Sequence, residues 1–350
     1  MSTEFDRALE RALEALNESG VAGPLGELSS PTREEVQHFV ERLQGEQVER
    51  KRDLLAAMVQ AAEDSFELDF DDLFRPFLHD PDATIRRHAI EGLWETERAD
   101  LVRPMIEFLG SDPDALVRAA AALSLGRLLW LVECDELPAH LGVQIERALR
   151  QAFENLAEDI EVRRRALEAI AYVNEDWVRG MIDRAYEHED ERMRVSALFA
   201  MGRNADVFWT ETVLAELDND AAAIRFEAAR ASGEMQLRRA VQRLIGMVED
   251  PDAEVQEMAI WALGQIGGKR ARAALEHYAS SEDEARSDAA TAALGEIEFA
   301  SRPFELLAVD PAQETLGEFR LADEDLDDEG LDEEEDEDDT YWRDDALDLT

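Results

Sequence analysis

The chain has 350 residues, 36 of them basic and 83 acidic, giving a formal net charge of −47 at neutral pH. That length excludes a disulfide-stapled mini-protein, and the lone cysteine, Cys134, excludes an internal disulfide. The acid excess opposes direct binding to nucleic acid, where affinity rests on Lys and Arg neutralising phosphate. It is spread along the chain: residues 321–350 hold 17 acids against one arginine, and residues 1–320 still carry −31.

The first residues, MSTEFDRALERALEALNES, alternate charged and apolar side chains, unlike a secretory signal. The longest apolar run, 119–132, contains Arg127 and falls short of the roughly 18 residues a membrane span requires. No membrane association is expected. Cys134, in the run LLWLVEC, reads as a small buried hydrophobe in a reducing interior. A cytoplasmic location follows as the expectation.

In chain order, Phe5, Leu9, Ala12, Leu13 and Leu16 share one face of a predicted helix over 4–17. A Gly-containing loop over 19–30 comes next. Pro31, Thr32, Glu34 and Glu35 open a second helix, with Val36, Phe39, Val40 and Leu43 apolar, and a third runs over 47–63. These helices lack the repeat pattern described next and are expected to cap it, so residues 1–65 form an N-terminal helical cap.

Beyond them the stretch DPDAEVQEMAIWALG, 250–264, recurs in imperfect copies. Taking the basic position as zero, the column reads Arg86, Arg118, Arg163, Arg194, Arg225, Gln256 and Arg286. Its intervals are 32, 45, 31, 31, 31 and 30, a period near 31 broken once by an insertion. Four residues earlier stand Asp82, Asp114, Asp159, Asp190, Ala221, Asp252 and Glu282, acids where a helix should begin. Three residues later stand Ala89, Ala121, Ala166, Ala197, Ala228, Ala259 and Ala289, which implies close helix contact. Each such helix is preceded by a shorter partner, at 73–78, 101–109, 177–186, 207–217, 241–248 and 271–278. The insertion, 133–154, reads as extra helix, with Val143, Ile145, Leu149, Phe153 and Leu156 as an apolar stripe. Trp94, Trp130, Trp177, Trp209 and Trp261 lie in or beside repeat helices and are expected mainly in the core.

This pattern resembles the HEAT-like repeats of the phycobilisome-lyase type over roughly residues 66–300. The resemblance implies an all-α fold, an α-solenoid of about seven antiparallel helix pairs whose stacked units bury what one pair cannot and leave a long concave surface. It further implies a structural polar ladder between successive units, made by the turn acids Asp82, Asp114, Asp159, Asp190 and Asp252 and the arginines Arg86, Arg118, Arg163, Arg194, Arg225 and Arg286.

The repeat pattern ends after Glu298, and residues 301–350 are expected to form an irregular exit and a disordered acidic tail, because 14 of the 17 residues over 323–339 are acidic. The terminus TYWRDDALDLT offers Tyr341, Trp342, Leu347 and Leu349 as a docking motif for a partner. The acid run suits a basic partner by electrostatic attraction, or serves as a solubility device.

Enzyme signatures are weak. GQIGGKR at 264–270 differs in spacing from a phosphate loop and has Arg270 where Ser or Thr should hold magnesium, so it reads as a turn between helices. The resemblance extends to deoxyhypusine hydroxylase, whose repeats hold a di-iron centre with four His-Glu pairs; here only His188-Glu189 fits, with His79-Asp80 a loose second. Bilin lyases share these repeats, and no diagnostic residue for a tetrapyrrole is identifiable. No catalytic, metal or cofactor residue is therefore assigned. The expected function is a non-enzymatic protein-interaction scaffold, with a HEAT-like enzyme or a nucleic-acid mimic as alternatives.

Overall fold

A computed structural model describes residues 4–19, 25–65, 67–281 and 283–301. The expected tail and the docking residues Tyr341, Trp342, Leu347 and Leu349 lie outside them, as does Glu282. No strand occurs among the described residues. The α-helices are α1 (Glu4–Ser19), α2 (Arg33–Gln44), α3 (Val48–Asp64), α4 (Asp71–Phe74), α5 (Ala83–Glu91), α6 (Val102–Ser111), α7 (Ala115–Glu133), α8 (Ala139–Glu154) and α9 (Ile160–Ile170). They continue with α10 (Asp176–Tyr186), α11 (Glu191–Asn204), α12 (Thr210–Glu216), α13 (Ala222–Glu234), α14 (Val241–Met247), α15 (Ala253–Ile266), α16 (Gly268–Tyr278) and α17 (Glu284–Ser301). Short 3₁₀ turns lead into several even-numbered helices.

Local chemistry fixes where the helices begin. At α2 the Glu35 N–H donates to Thr32 Oγ1 while the Thr32 N–H donates to Glu35 Oε2, a reciprocal cap. Five repeat helices start with an aspartate whose carboxylate accepts first-turn N–H groups: Asp82 for α5, Asp114 for α7, Asp159 for α9, Asp190 for α11 and Asp252 for α15. Each satisfies donors that a helix start otherwise leaves unpaired.

The odd-numbered helices form one layer in which each packs on the next, from α1 on α3 through to α15 on α17. The even-numbered helices pack behind their odd partners, giving an α-solenoid of antiparallel helix pairs. The series of odd helices passes through α3 and α1 without interruption, so the N-terminal helices stack as the repeat helices do. Ala89, Ala121, Ala166, Ala197, Ala228 and Ala259 are fully buried between layers.

At the last unit the structure shifts the register by one. Asp283, not Glu282, precedes the helix: its carbonyl and carboxylate accept the N–H groups of Ser287 and Arg286, and the buried alanine is Ala290, not Ala289. The zero position is thus Ser287, which makes the final interval 31 like those before it.

A glycine column eight residues after zero sets the closest approach in the odd layer. A Cβ on Gly126 would lie 2.8 Å from the Cα of Ala169, and one on Gly202 2.9 Å from that of Ala231. The corresponding distances are 3.0 Å from Gly233 to Ala262 and 3.1 Å from Gly264 to Ala293. Backbone lies where a side chain would go, so these joints admit only glycine without a shift.

The insertion is a lengthened helix pair, α7 with α8. Ile145, Leu149 and Phe153 are buried, whereas Val143 falls off the face that α8 turns to α7 and α9, and Leu156 lies past the end of α8, both exposed. Helix α7 has 19 residues, longer than the run predicted, and by length and composition alone could cross a membrane; 61% of the stretch is buried in the stack. Its apolarity serves packing against α5, α6, α8 and α9.

Candidate interaction surface

The column arginines sit between units, but their partners differ from those expected. Arg86 donates from Nε and Nη2 to both carboxylate oxygens of Asp112, each at 2.8 Å, and from Nη1 to the carbonyls of Asp80 and Pro81. Arg225 does the same toward Asp250, at 2.8 and 2.7 Å, and toward the carbonyls of Asn219 and Asp220. Arg118 holds both oxygens of Glu158, at 3.2 and 2.6 Å, and the carbonyl of Asp112. Lys51 of α3 lies 3.5 Å from Asp80 in the same manner. An arginine therefore grips the turn of its own unit and a carboxylate of the next.

The carboxylate that crosses the joint stands six residues before zero, or five at Glu158, and not four. Asp114, Asp159, Asp190 and Asp252 cap their own helices, and Asp190 also pairs with Arg192 on its own helix. Asp82 reaches a preceding helix, through Arg52 on α3. Carboxylates of this column are turned inward to first-turn N–H groups of their own helices, and among the described residues only Asp82 also accepts from the preceding unit. The residue two places earlier does both, since Asp80, Asp112 and Asp250 also accept the N–H of Asp82, Asp114 and Asp252.

Burial opposes ionisation of Asp112, but the Arg86 hydrogen bonds, the Asp114 N–H and the nearby guanidinium charges outweigh it and hold the carboxyl below the ordinary aspartate range. The hydrogen bond from Arg52 lowers Asp82 to about 2.

In the middle of the array the carboxylate position holds His188 and Asn219, which accept the N–H of Asp190 and Ala221 but offer no negative charge. Arg163 there donates to the carbonyl of Phe153, and Arg194 to the carbonyls of His188 and Glu189. The His188-Glu189 pair is thus turn structure. At the last unit Arg286 pairs with Glu249 and reaches Gln256 Oε1 at 3.4 Å.

The outward side of α9, α11 and α13 carries a second network. Glu168, buried, accepts from Ser196 Oγ at 2.6 Å and from Arg165 at 2.7 Å. Arg230 lies 4.1 Å over the Phe199 ring and donates to Glu227 and Glu234 at 2.7 and 2.5 Å. Burial pushes the Glu227 carboxyl up, opposed by Arg230 and reinforced by Glu168 and Glu234. Within this network the charges answer one another.

Beside it stand apolar side chains that the stack leaves partly exposed. Leu116, Leu123 and Trp130 on α7 are 51%, 46% and 40% exposed. Trp94, Tyr172 and Trp261 are also exposed on the odd helices or just past their ends. Of the five repeat tryptophans only Trp209 is fully buried, donating Nε1–H to Asn204, and Trp177 is half-buried. The core expectation fails for the other three because they point away from the even layer. Cys134, expected buried, is exposed at the end of α7.

Among the described residues no group of three or more His, Cys, Asp or Glu is placed to hold a metal ion. The phosphate-loop-like stretch is the turn between α15 and α16, where Gly267 and Gly268 adopt φ of +65° and +85°.

The sequence model for HEAT repeats matches residues 72–137 and 210–295. No curated protein matches the chain. Solved structures that resemble it include the complex of CpcE and CpcF of phycocyanin lyase from Nostoc sp. PCC7120, at 17% identity and TM-score 0.46, covering 65% of this chain and 94% of that one. Human deoxyhypusine hydroxylase in complex with glycerol is similar at 17% identity and TM-score 0.33, over 79% of this chain and 100% of that one. A designed armadillo repeat protein is similar at 18% identity and TM-score 0.34, over 56% and 99%. The two blocks matched by the repeat model coincide with helices α4–α7 and α12–α17 of one continuous stack, so residues 72–137 and 210–295 are HEAT repeats within an α-solenoid.

Proposed function

We propose that this protein is a cytoplasmic interaction scaffold that binds a protein partner and performs no chemistry of its own. The supporting observation is the outward side of the odd layer. Its charged groups on α9, α11 and α13 are matched by one another, while Leu116, Leu123, Trp130, Tyr172 and Trp261 remain exposed. Apolar side chains clustered on a polar surface gain most when a partner removes them from water, and aromatic residues dominate such contacts. The acidic segment 321–350 raises the encounter rate with a basic partner and makes it salt-sensitive.

The test is affinity capture from native lysate with two baits, the full chain and a chain ending at Arg320, followed by mass spectrometry. A protein retained by both supports recognition by the repeat stack. One retained only by the full chain assigns recognition to the segment with Tyr341 and Trp342. Retention of no specific protein by either bait, or turnover of a small molecule by the pure chain, overturns the reading.

A further inference from the structure

The exposed residues of α7 differ from scattered surface hydrophobes in their spacing. Leu116, Leu123 and Trp130 recur every seven residues. At 1.5 Å per residue they form a stripe about 21 Å long on one side of a single helix. A seven-residue recurrence drifts only ~20° per step around the helix, which is the seam geometry that a second helix follows at a shallow crossing angle. Arg127 lies 4.6 Å over the Trp130 ring and holds it against the helix surface.

The stripe also has an electrostatic direction. Along α7 the only acid is Glu133, at the last position. Beyond Trp130 the chain exposes Glu133, Cys134, Asp135 and Glu136 in succession. Glu133 and Glu175, the latter before α10, lie close enough to Glu146 on α8 that, after burial, their charges push its carboxyl up. None of Glu133, Glu146 and Glu175 forms a salt bridge among the described residues, in contrast to the paired carboxylates of α9–α13. One end of the apolar stripe therefore carries negative charge that the protein itself does not neutralise.

We propose that the outward face of α7 docks an amphipathic helix of a partner protein, its apolar side chains covering Leu116, Leu123 and Trp130 and its Lys or Arg residues meeting Glu133, Glu146 and Glu175. The proposal rests on the scaffold reading and names the site and the partner's chemistry. A second copy of this chain is a poorer occupant, because residues 1–320 alone carry −31 and two copies repel.

The probe is a labelled synthetic peptide of two LKKLLKL heptads, followed by fluorescence anisotropy with the full chain and with a chain ending at Arg320. Both are expected to bind it alike. Leu123→Asp, at a half-exposed position, should weaken binding at least tenfold with an unchanged thermal transition. Leu116→Asp, in the first helical turn where acid is tolerated, repeats the test should Leu123→Asp disturb folding. The triple change Glu133→Gln, Glu146→Gln and Glu175→Gln should weaken binding and flatten its salt dependence, and Val207→Asp, at an exposed position ahead of α12, should leave it intact. Unchanged binding to both Asp variants overturns the proposal. So does loss of binding on truncation, equal binding of a LEELLEL peptide, a wild-type dimer that Leu123→Asp dissociates, or stripe-dependent binding to anionic vesicles. Used as a capture bait, Leu123→Asp separates the two readings: partners it still retains leave the scaffold reading standing while this face falls.

Discussion

Asp112→Ala is expected to break the joint between α5 and α7. The carboxylate is buried and accepts two hydrogen bonds from Arg86 at 2.8 Å, plus the Asp114 N–H at 2.9 Å. After truncation Arg86 keeps the carbonyls of Asp80 and Pro81 through Nη1, while Nε and Nη2 are orphaned. Removing one member of a buried pair costs about 3–5 kcal/mol, and the surviving carbonyl bonds place this case near the lower end. The lost turn bond adds about 1 kcal/mol, for a total of about 4 kcal/mol. Repeat arrays are held by nearest-neighbour interfaces, so the damage should be local. Urea unfolding followed by circular dichroism should split into two transitions, and amides of α3 and α5 should exchange faster while those of α13 and α15 do not change. Replacing both partners with apolar residues, Arg86→Met with Asp112→Leu, should recover much of the loss. A cost below about 1 kcal/mol, the scale of an exposed ion pair, with exchange in α5 unchanged, would refute the reasoning.

Four further outcomes are expected. Gly126→Ala places a Cβ 2.8 Å from the Ala169 backbone and should cost about 1–3 kcal/mol by thermal unfolding. Gly110→Ala, with nothing within 4 Å, should stabilise by up to about 1 kcal/mol. Asp82 has a lowered folded pKa, so its contribution is present above the ordinary aspartate range and lost as pH falls toward about 2; Arg52→Met should remove that acid-side slope in stability measured against pH. Glu227 has the opposite sign: its carboxyl is raised, so stability falls as pH climbs from the ordinary glutamate value to the raised one, and Glu227→Gln should flatten that limb without loss at neutral pH.

The stack itself was legible because period, acid column and alanine column all answer to backbone needs. Helix starts want a carboxylate, and contacting helices want a small residue, so Asp82 and Ala89 announce themselves. The joint was less legible. Two acids stand two residues apart in Asp80 and Asp82, and in Asp112 and Asp114, and the more regular one is the cap. The less regular position varies because His188 and Asn219 can still accept the turn N–H without a carboxylate. Gly126, Gly202, Gly233 and Gly264 formed a readable column whose meaning required the facing backbone. At α17 the basic residue Arg286 drew the alignment one position off, since Ser287 occupies the arginine site. Periodicity could not tell which side of an odd helix faces outward, so Trp94, Trp130 and Trp261 were assigned to the core. Tyr341, Trp342, Leu347 and Leu349 lie beyond the described residues.

The division of each joint between two units bears on how such a chain can grow. Any 32-residue segment cut from within residues 80–118 contains one gripping arginine and one receiving carboxylate. A tandem duplication of that segment inserts a new unit whose two ends are already compatible with its neighbours, and a deletion closes without leaving an orphaned charge. Segments bearing His188 or Asn219 lack the receiving half, so copying them would lengthen the protein with compliant joints in place of stiff ones. Length and stiffness can therefore be inherited separately from the same short stretch of gene.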